Sequence, residues 1–277
     1  MNAMLMFAGL GTRLRPFTDL EPKPLLPILG QPTAQFAVDA LTRAGVETIV
    51  ANIHHLPERA RLGLAAMDLG GHADARDARI VLSDETAELL GSGGGLRLAR
   101  PQLGEGAFYL LNADVLCDID LAALARAHAR NRAAFGARIT LAIHPRSPEG
   151  AGYREIFHDG SRVTALGSKT SGRPFFIGAA VIESSALDVF PAVGASEMVP
   201  LLLEPAVRDG RAGVHACDGI WHDIGSVDLW RRAHLALIDA IETRRLPLAW
   251  ERRILADNRR VGTRMWVSRR APRRLDV

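Results

Sequence analysis

The sequence predicts an α/β protein, a Rossmann-like three-layer α/β/α arrangement around a mostly parallel sheet with antiparallel additions. Three observations carry this. Short apolar runs alternate with helical patterns up to Pro145, the rhythm of βαβ units. A glycine-rich turn follows the first apolar run, at the strand end where such sheets bind ligands. Beyond Pro145 the runs shorten, and Asp159-Gly160 and Ser171-Gly172 separate them as turns, the texture of antiparallel strands joining the sheet.

In order, residues 3–7 read as a buried strand rather than a signal peptide, because the apolar stretch is short and lacks a basic leader. Pro16, Pro22, Pro24, Pro27 and Pro32 then forbid a regular helix, so this is an ordered loop of functional length. From Thr33 the spacing turns helical, with Phe36, Leu41 and Ala44 on one face and Gly45 as the stop. Residues 46–52 read as a strand, 57–66 as a helix with proline in its first turn, and 80–82 as a strand. A helix is expected over 93–99, a buried strand over 108–112, a helix over 121–131 and a strand over 139–143. Short strands follow over 154–157, 162–166 and 175–182, then helices over 198–209 and 227–242. Residues 260–267 read as a short strand pair or as nothing ordered.

The 277 residues are 48% hydrophobic and 23% charged, ordinary for a globular chain able to bury a core without staples. No apolar run approaches the ~18 residues of a membrane span. Cys117 and Cys217 offer neither a disulfide framework nor metal-ligand spacing, so a reducing cytoplasm is the expected setting. Net charge is +3, but residues 244–277 hold 11 Arg against Glu251, Asp257 and Asp276, a net of +8 that leaves 3 − 8 = −5 for the rest. This divides the chain into a main domain, 1–243, and an Arg-rich C-terminal extension, 244–277, of unassigned role. Nucleic acid is not an expected partner of an acidic main domain. Of the 34 basic residues only Lys23 and Lys169 are lysine, a usage that singles out two compact ammonium groups in an arginine-rich chain.

The strongest motif is Ala8-Gly9-Leu10-Gly11-Thr12-Arg13 followed by Pro22-Lys23-Pro24. Glycines let backbone amides approach a phosphate chain, Thr12 adds a hydroxyl, Arg13 offers a planar fork, and two prolines stiffen the backbone that presents Lys23. It is not a Walker loop, which ends Gly-Lys-Ser/Thr, nor a dinucleotide loop, which needs a third glycine opening a helix where this chain has Leu14 and Pro16.

With Thr18 and Leu25 included, these residues resemble the first-strand motif of the sugar nucleotidyltransferases, which make nucleoside-diphosphate sugars from a nucleoside triphosphate and a sugar 1-phosphate. The resemblance runs to about Ile241 and implies Mg²⁺-dependent nucleotidyl transfer with release of pyrophosphate. It places Ala8, Gly9, Gly11 and Thr12 on the nucleotide, and Arg13 and Lys23 in catalysis. Glu88-Leu89-Leu90-Gly91-Ser92-Gly93-Gly94 resembles the family segment over base and ribose, which assigns Glu88, Ser92, Gly93 and Gly94 to nucleotide binding. Asn112-Ala113-Asp114 and Trp221-His222-Asp223-Ile224-Gly225 resemble the two metal-binding segments, giving Asp114 and Asp223 as Mg²⁺ ligands. Lys169 falls where the family contacts the sugar phosphate, Gly178 where it lines the sugar pocket, and Glu155 near an acidic position that reads sugar hydroxyls.

The attacking sugar phosphate is already anionic near neutral pH, so no general base is needed and none is evident. Uridylyl transfer to N-acetylmuramate 1-phosphate or a related hexose 1-phosphate is the first expectation. A guanylyltransferase acting on mannose or heptose 1-phosphate and a cytidylyltransferase acting on phosphocholine are the alternatives. From another class, a nucleotide-sensing or scaffold protein without turnover would share the motifs. The extension, with Trp266 and Val267, is a candidate dimerisation element, so a homo-oligomer is open.

Overall fold

The computed structural model describes residues 1–70, 78–149, 152–262 and 265–268. The chain runs β1 (Ala3–Met6), a two-strand hairpin β2 (Pro27–Ile28) and β3 (Gln31–Pro32), α1 (Thr33–Arg43), β4 (Thr48–Ile53), α2 (Pro57–Ala65) and β5 (Arg79–Asp84). It continues through α3 (Gly91–Leu103), β6 (Ala107–Asn112), β7 (Val115–Cys117), α4 (Leu121–Phe135) and β8 (Ile139–His144). Then come β9 (Tyr153–His158), β10 (Val163–Thr170), β11 (Phe175–Glu183), α5 (Glu204–Arg208), β12 (Ala212–Ala216) and β13 (Trp221–Asp223). The last elements are α6 (Val227–Glu242), α7 (Leu248–Asp257), β14 (Asn258–Gly262) and β15 (Met265–Ser268).

Nine strands form one sheet. Its parallel core is β5-β4-β1-β6, to which β11 adds antiparallel. Beyond β11 the sheet divides: β8 pairs along it and carries β12 in parallel, while β9 meets it only at Phe175 opposite Glu155 and carries β10. Only β10 and β11 therefore run against the other seven strands. The expected fold class holds, and each expected strand up to 182 appears within one or two residues of its predicted ends, except that β10, expected over 162–166, runs on to Thr170.

Two layers of apolar side chains fill the space between sheet and helices. On one face Leu5, Ile49, Ile53 and Val181 pack against α1, α2 and the start of α4. On the other, Met4, Val50, Leu110 and Ile182 pack against α3 and the 186–206 segment. A third cluster lies outside the sheet, where Leu14, Ile28 and Phe36 meet Ile224, Leu237, Trp250 and Ile254.

Three differences from the sequence reading have physical causes. The stretch expected as one helix over 198–209 is a π-helical turn, Val199–Leu203, followed by the short α5. Pro205 removes the amide that would bond the Leu201 carbonyl, and the wider turn accommodates the loss, whereas Pro200 sits in the first turn, where no ladder amide is needed. Helix α1 was expected to bury one face, yet every residue from Thr33 to Thr42 is buried. The reason is α7, which covers the outer side. Trp250 packs edge-on to Phe36 with ring centroids 4.9 Å apart, and Arg253 grips Asp39 at 2.5 and 2.8 Å. The part of the extension that forms α7 and reaches Asn258 is thus continuous with the main body, and Asn258 Nδ2 donates to the Leu29 carbonyl at 2.5 Å. A strand pair does form at β14–β15, although the last arginines, 269–277, lie outside the described residues.

Candidate active site

Arg13, Lys23 and Asp114, expected at the site, gather at the carboxyl edge of the parallel strands. Strand β1 ends at Met6 and feeds the glycine turn, where Gly11 has φ +60°. A Cβ at Gly11 would lie 2.8 Å from Thr18 Cγ2 and 3.2 Å from Lys23 Cβ, so glycine is required both for the turn and for the close approach of the lysine segment. Thr18 is fully buried and donates its hydroxyl to the Gly11 carbonyl at 3.0 Å, which ties the loop to itself. Thr12 and Arg13 stand exposed in a short 3₁₀ turn, and Lys23 opens another whose Pro24 and Leu25 are buried.

Asp114 and Asp223 are 109 residues apart in sequence and are brought together by β7 and β13. These strands pair antiparallel with Asp223 opposite Val115, one residue after Asp114. Lys23 reaches between the two carboxylates. Its Nζ lies 2.5 Å from Asp114 Oδ2 and 3.8 Å from Asp223 Oδ1, and its side chain is only 13% exposed. Gly225 completes the junction. A Cβ there would stand 2.9 Å from Arg13 Nη2 and 2.9 Å from Asp223 Oδ2. Arg13, Lys23, Asp114 and Gly225 line a cavity of about 200 Å³ together with Ala8, Gly9, Gly11 and Thr12. A larger cavity, about 540 Å³, lies between the end of α1 and the start of α4 and holds none of the expected site residues. Its size does not outweigh the cation–carboxylate arrangement of the smaller one.

Other expected residues are placed around this centre. Lys169 is exposed on β10 opposite Arg154, and Glu155 lies beside Phe175 with Arg173 Nε 3.7 Å from its carboxylate. Gly178 has φ +85° and presses on Asn112, which a Cβ would meet at 2.9 Å. Glu88 is exposed in the loop before α3. Ser92, Gly93 and Gly94 form the first turn of that helix and are engaged by the 190–198 loop. The Ser92 hydroxyl donates to Glu197 at 2.5 Å, and the Gly93 and Gly94 amides donate to the Ser196 carbonyl at 2.8 and 3.2 Å. The space that a side chain at Gly93 would need is filled by Phe190. Trp221 packs rather than lines the cavity, and His222, on the opposite side of β13, faces Ala236 and Asp239 of α6. Burial lowers the His222 pKa.

The sequence reading passed over Asn52, Glu85 and the hydroxyl of Tyr153. Asn52 is buried at the end of β4. Its Oδ1 accepts from the amides of Phe7 at 2.7 Å and Ala8 at 3.2 Å, and its Nδ2 donates to Glu85 Oε1 at 2.8 Å. Glu85 in turn accepts from Leu90 N at 3.3 Å, and burial raises its pKa. One polar chain therefore connects the root of the glycine turn to the entry of α3. Their positions at the carboxyl ends of β4 and β5 were the available signal. Tyr153 donates its hydroxyl to Asp223 Oδ2 at 2.9 Å, and burial first, then the Asp223 charge, push its pKa up. The two cysteines are free, and burial pushes the Cys217 pKa up to about 12, so it is a neutral thiol at physiological pH.

Comparisons with known proteins bear on the family and the fold. The family profile described as nucleotidyl transferase matches residues 2–240. An N-acetylmuramate alpha-1-phosphate uridylyltransferase of Neisseria meningitidis is 30% identical over 235 residues, covering 82% of this chain and 94% of that protein. A mannose-1-phosphate guanyltransferase of Emericella nidulans is 28% identical over 238 residues, covering 81% of this chain and 61% of that protein. Among solved structures, HddC from Yersinia pseudotuberculosis complexed with GMP-PN superposes with a TM-score of 0.67 at 17% identity, covering 85% of this chain and 99% of the other, a likeness of fold.

Proposed function

The chain belongs to the nucleotidyl transferase family, and from that premise we propose that it transfers a uridylyl group from UTP to N-acetylmuramate 1-phosphate or a closely related hexose 1-phosphate. A phosphate oxygen of the sugar forms a bond to the α-phosphorus as the bond from that phosphorus to the departing pyrophosphate breaks. The observation that carries the reading is the convergence of Lys23, Arg13, Asp114 and Asp223 at one strand edge. The near full-length similarity to the meningococcal uridylyltransferase supports the choice of base and sugar.

The reaction needs charge neutralisation and alignment more than proton transfer. Arg13, exposed at the mouth of the cavity, stabilises the leaving pyrophosphate. Lys23, held between two prolines, contacts the α-phosphate or the incoming oxygen. Ala8, Gly9, Gly11 and Thr12 present backbone and hydroxyl to the phosphate chain. Glu88 and the first turn of α3, at Ser92, Gly93 and Gly94, form the wall for base and ribose, kept in shape by Glu197 and Ser196. Lys169 seats the sugar phosphate, with Glu155 and Gly178 on the sugar side.

Asp114 and Asp223, which both face the cationic Lys23 Nζ, would hold a Mg²⁺ ion once that ammonium turns to the phosphates. Among the described residues no group of three or more His, Cys, Asp or Glu could hold a metal, and two facing carboxylates suit a cation that takes its remaining ligands from water and phosphates. The ion would supply charge to the phosphate oxygens when bound. Among the described residues no helix is long and apolar enough to cross a membrane.

The test is pyrophosphate release with Mg²⁺ across UTP, GTP, CTP, ATP and dTTP, each paired with sugar 1-phosphates and phosphocholine. Release with UTP and N-acetylmuramate 1-phosphate is the expected result. Release confined to GTP with mannose or heptose 1-phosphate would replace the base and sugar but keep the reaction. Silence in every pairing, with nucleotide still bound, would replace enzyme by sensor.

A further inference from the structure

The geometry points to Tyr153 as a positioning residue that sets the orientation of Asp223 and links it to the acceptor-side strands. The inference rests on the reading of Asp223 as a metal ligand. A carboxylate rotates easily about its last torsion, which is broad and two-fold. Here the Tyr153 hydroxyl donates to Oδ2 at 2.9 Å, and the other oxygen, Oδ1, is the one turned toward Lys23 at 3.8 Å. A hydrogen bond from outside the ligand set, holding Oδ2, would leave Oδ1 as the oxygen available to a metal ion, the role that supporting partners play in metal sites.

The tyrosine can do this because its ring is clamped. Phe175 lies 4.9 Å away by ring centroids, Trp221 lies 5.2 Å away edge-on, and those two rings are 4.7 Å apart. Trp221 is itself anchored, its Nε1 donating to the Ile177 carbonyl at 3.0 Å. Side chains alternate along a strand, so Trp221 and Asp223 fall on the same side of β13. The strand that offers the carboxylate also offers the indole that holds its tyrosine.

The same tyrosine opens β9. It pairs with Thr170 on β10, and the next pair is Arg154 with Lys169. Glu155, two residues on, pairs with Phe175, one of the clamping rings. The hydroxyl on Asp223 and the groups assigned to the sugar phosphate therefore share one short strand pair. Displacing β9 turns the carboxylate, and turning the carboxylate loosens β9. Metal affinity and acceptor KM are expected to change together.

Tyr153→Phe keeps the ring in its clamp and removes only the hydroxyl. Mn²⁺ titration of the full-length protein in the presence of UTP, followed by electron paramagnetic resonance, is the direct readout. The expected result is a rise of about tenfold in the Mn²⁺ Kd. Acceptor KM should rise, kcat should recover at high Mg²⁺, and Tm should move little. An unchanged Mn²⁺ Kd in folded Tyr153→Phe overturns the inference, as does a drop in Tm without a change in Kd. Should that variant not fold, Phe175→Leu loosens the clamp but keeps the hydroxyl. It should raise the Kd in the same direction by a smaller factor, and no rise there also overturns the inference. Asp223→Asn separates the two levels. If it abolishes Mn²⁺ binding while Tyr153→Phe does not weaken it, only the positioning role fails. If it leaves Mn²⁺ binding intact, the metal assignment fails and the inference goes with it.

Discussion

Gly225→Ala should silence the enzyme without unfolding it. The added Cβ would lie 2.9 Å from Arg13 Nη2 and 2.9 and 3.0 Å from the two oxygens of Asp223. Carbon contacts become favourable near ~3.5 Å, so the overlap is about 0.6 Å and these side-chain ends must move apart. Arg13 can swing away, the Asp223 carboxylate can turn at the expense of its Tyr153 hydrogen bond, and Gly225 does not use the left-handed backbone region, so the fold absorbs the change. Restricting the unfolded chain can even add ~0.4–1 kcal/mol of stability. The catalytic groups have less tolerance. A misplacement approaching 1 Å costs about 10² in rate, which corresponds to about 2.7 kcal/mol of barrier. Pyrophosphate release under saturating UTP and acceptor measures kcat, and calorimetry measures Tm. Arg13→Ala should lose on the order of 10²–10³ in kcat. Because both changes act on the same guanidinium, the double variant should be little worse than Arg13→Ala alone. Wild-type kcat in Gly225→Ala, or full additivity in the double variant, would refute the claim that Gly225 exists to seat Arg13 beside Asp223.

Three further outcomes follow from other parts of the molecule. Asn52→Ala strips the acceptor from Phe7 N and Ala8 N and the donor from Glu85, so urea unfolding should show a loss of about 2–3 kcal/mol and the KM for UTP should rise. Trp250→Ala empties the fully buried place under α7 and should cost about 3–5 kcal/mol in the same assay. Trp250→Phe should cost much less, since the indole N–H has no hydrogen-bond partner. His128 is held neutral by burial, which outweighs the pull of Glu183 at 3.0 Å, and Arg132 Nε shares the same Glu183 oxygen, Oε1, at 3.2 Å. Its folded pKa is below the ordinary 6.5, so its contribution is complete above that value and is lost as pH falls through the window beneath it. Tm should decline from pH 7.5 to 5.5, and His128→Gln should flatten that decline. Glu85 and Asp39, raised by burial, act with the opposite sign, so the comparison with the variant isolates the histidine.

Much of the site was legible because its chemistry is local in sequence. The glycine turn, Thr12, Arg13 and Lys23 lie within sixteen residues, and their constraint is a backbone one, recorded in glycine and proline. The parallel core was equally readable, since a strand buried on both faces writes a continuous apolar run such as Leu110–Leu111 or the stretch through Val50. The short strands β7 and β13 left no such mark. Three residues carry too little periodicity to announce a strand, yet their pairing alone sets Asp223 beside Asp114. The resemblance to a family supplied both aspartates; spacing could not have united them.

What the sequence determined by itself was the fold class, the glycine-rich loop and the singling out of the two lysines, because each is dictated by the residues immediately around it. Only the tertiary structure decided the rest. It placed α7 over α1, through Trp250 and Arg253, and so made the first part of an apparently appended tail into core. It turned Asn52 and Glu85 from unmarked strand ends into the link between loop and helix, and it gave Tyr153 a carboxylate to hold. These are contacts between residues 33 to 214 positions apart. Their energy depends on distance and burial, which exist only once the chain has closed on itself.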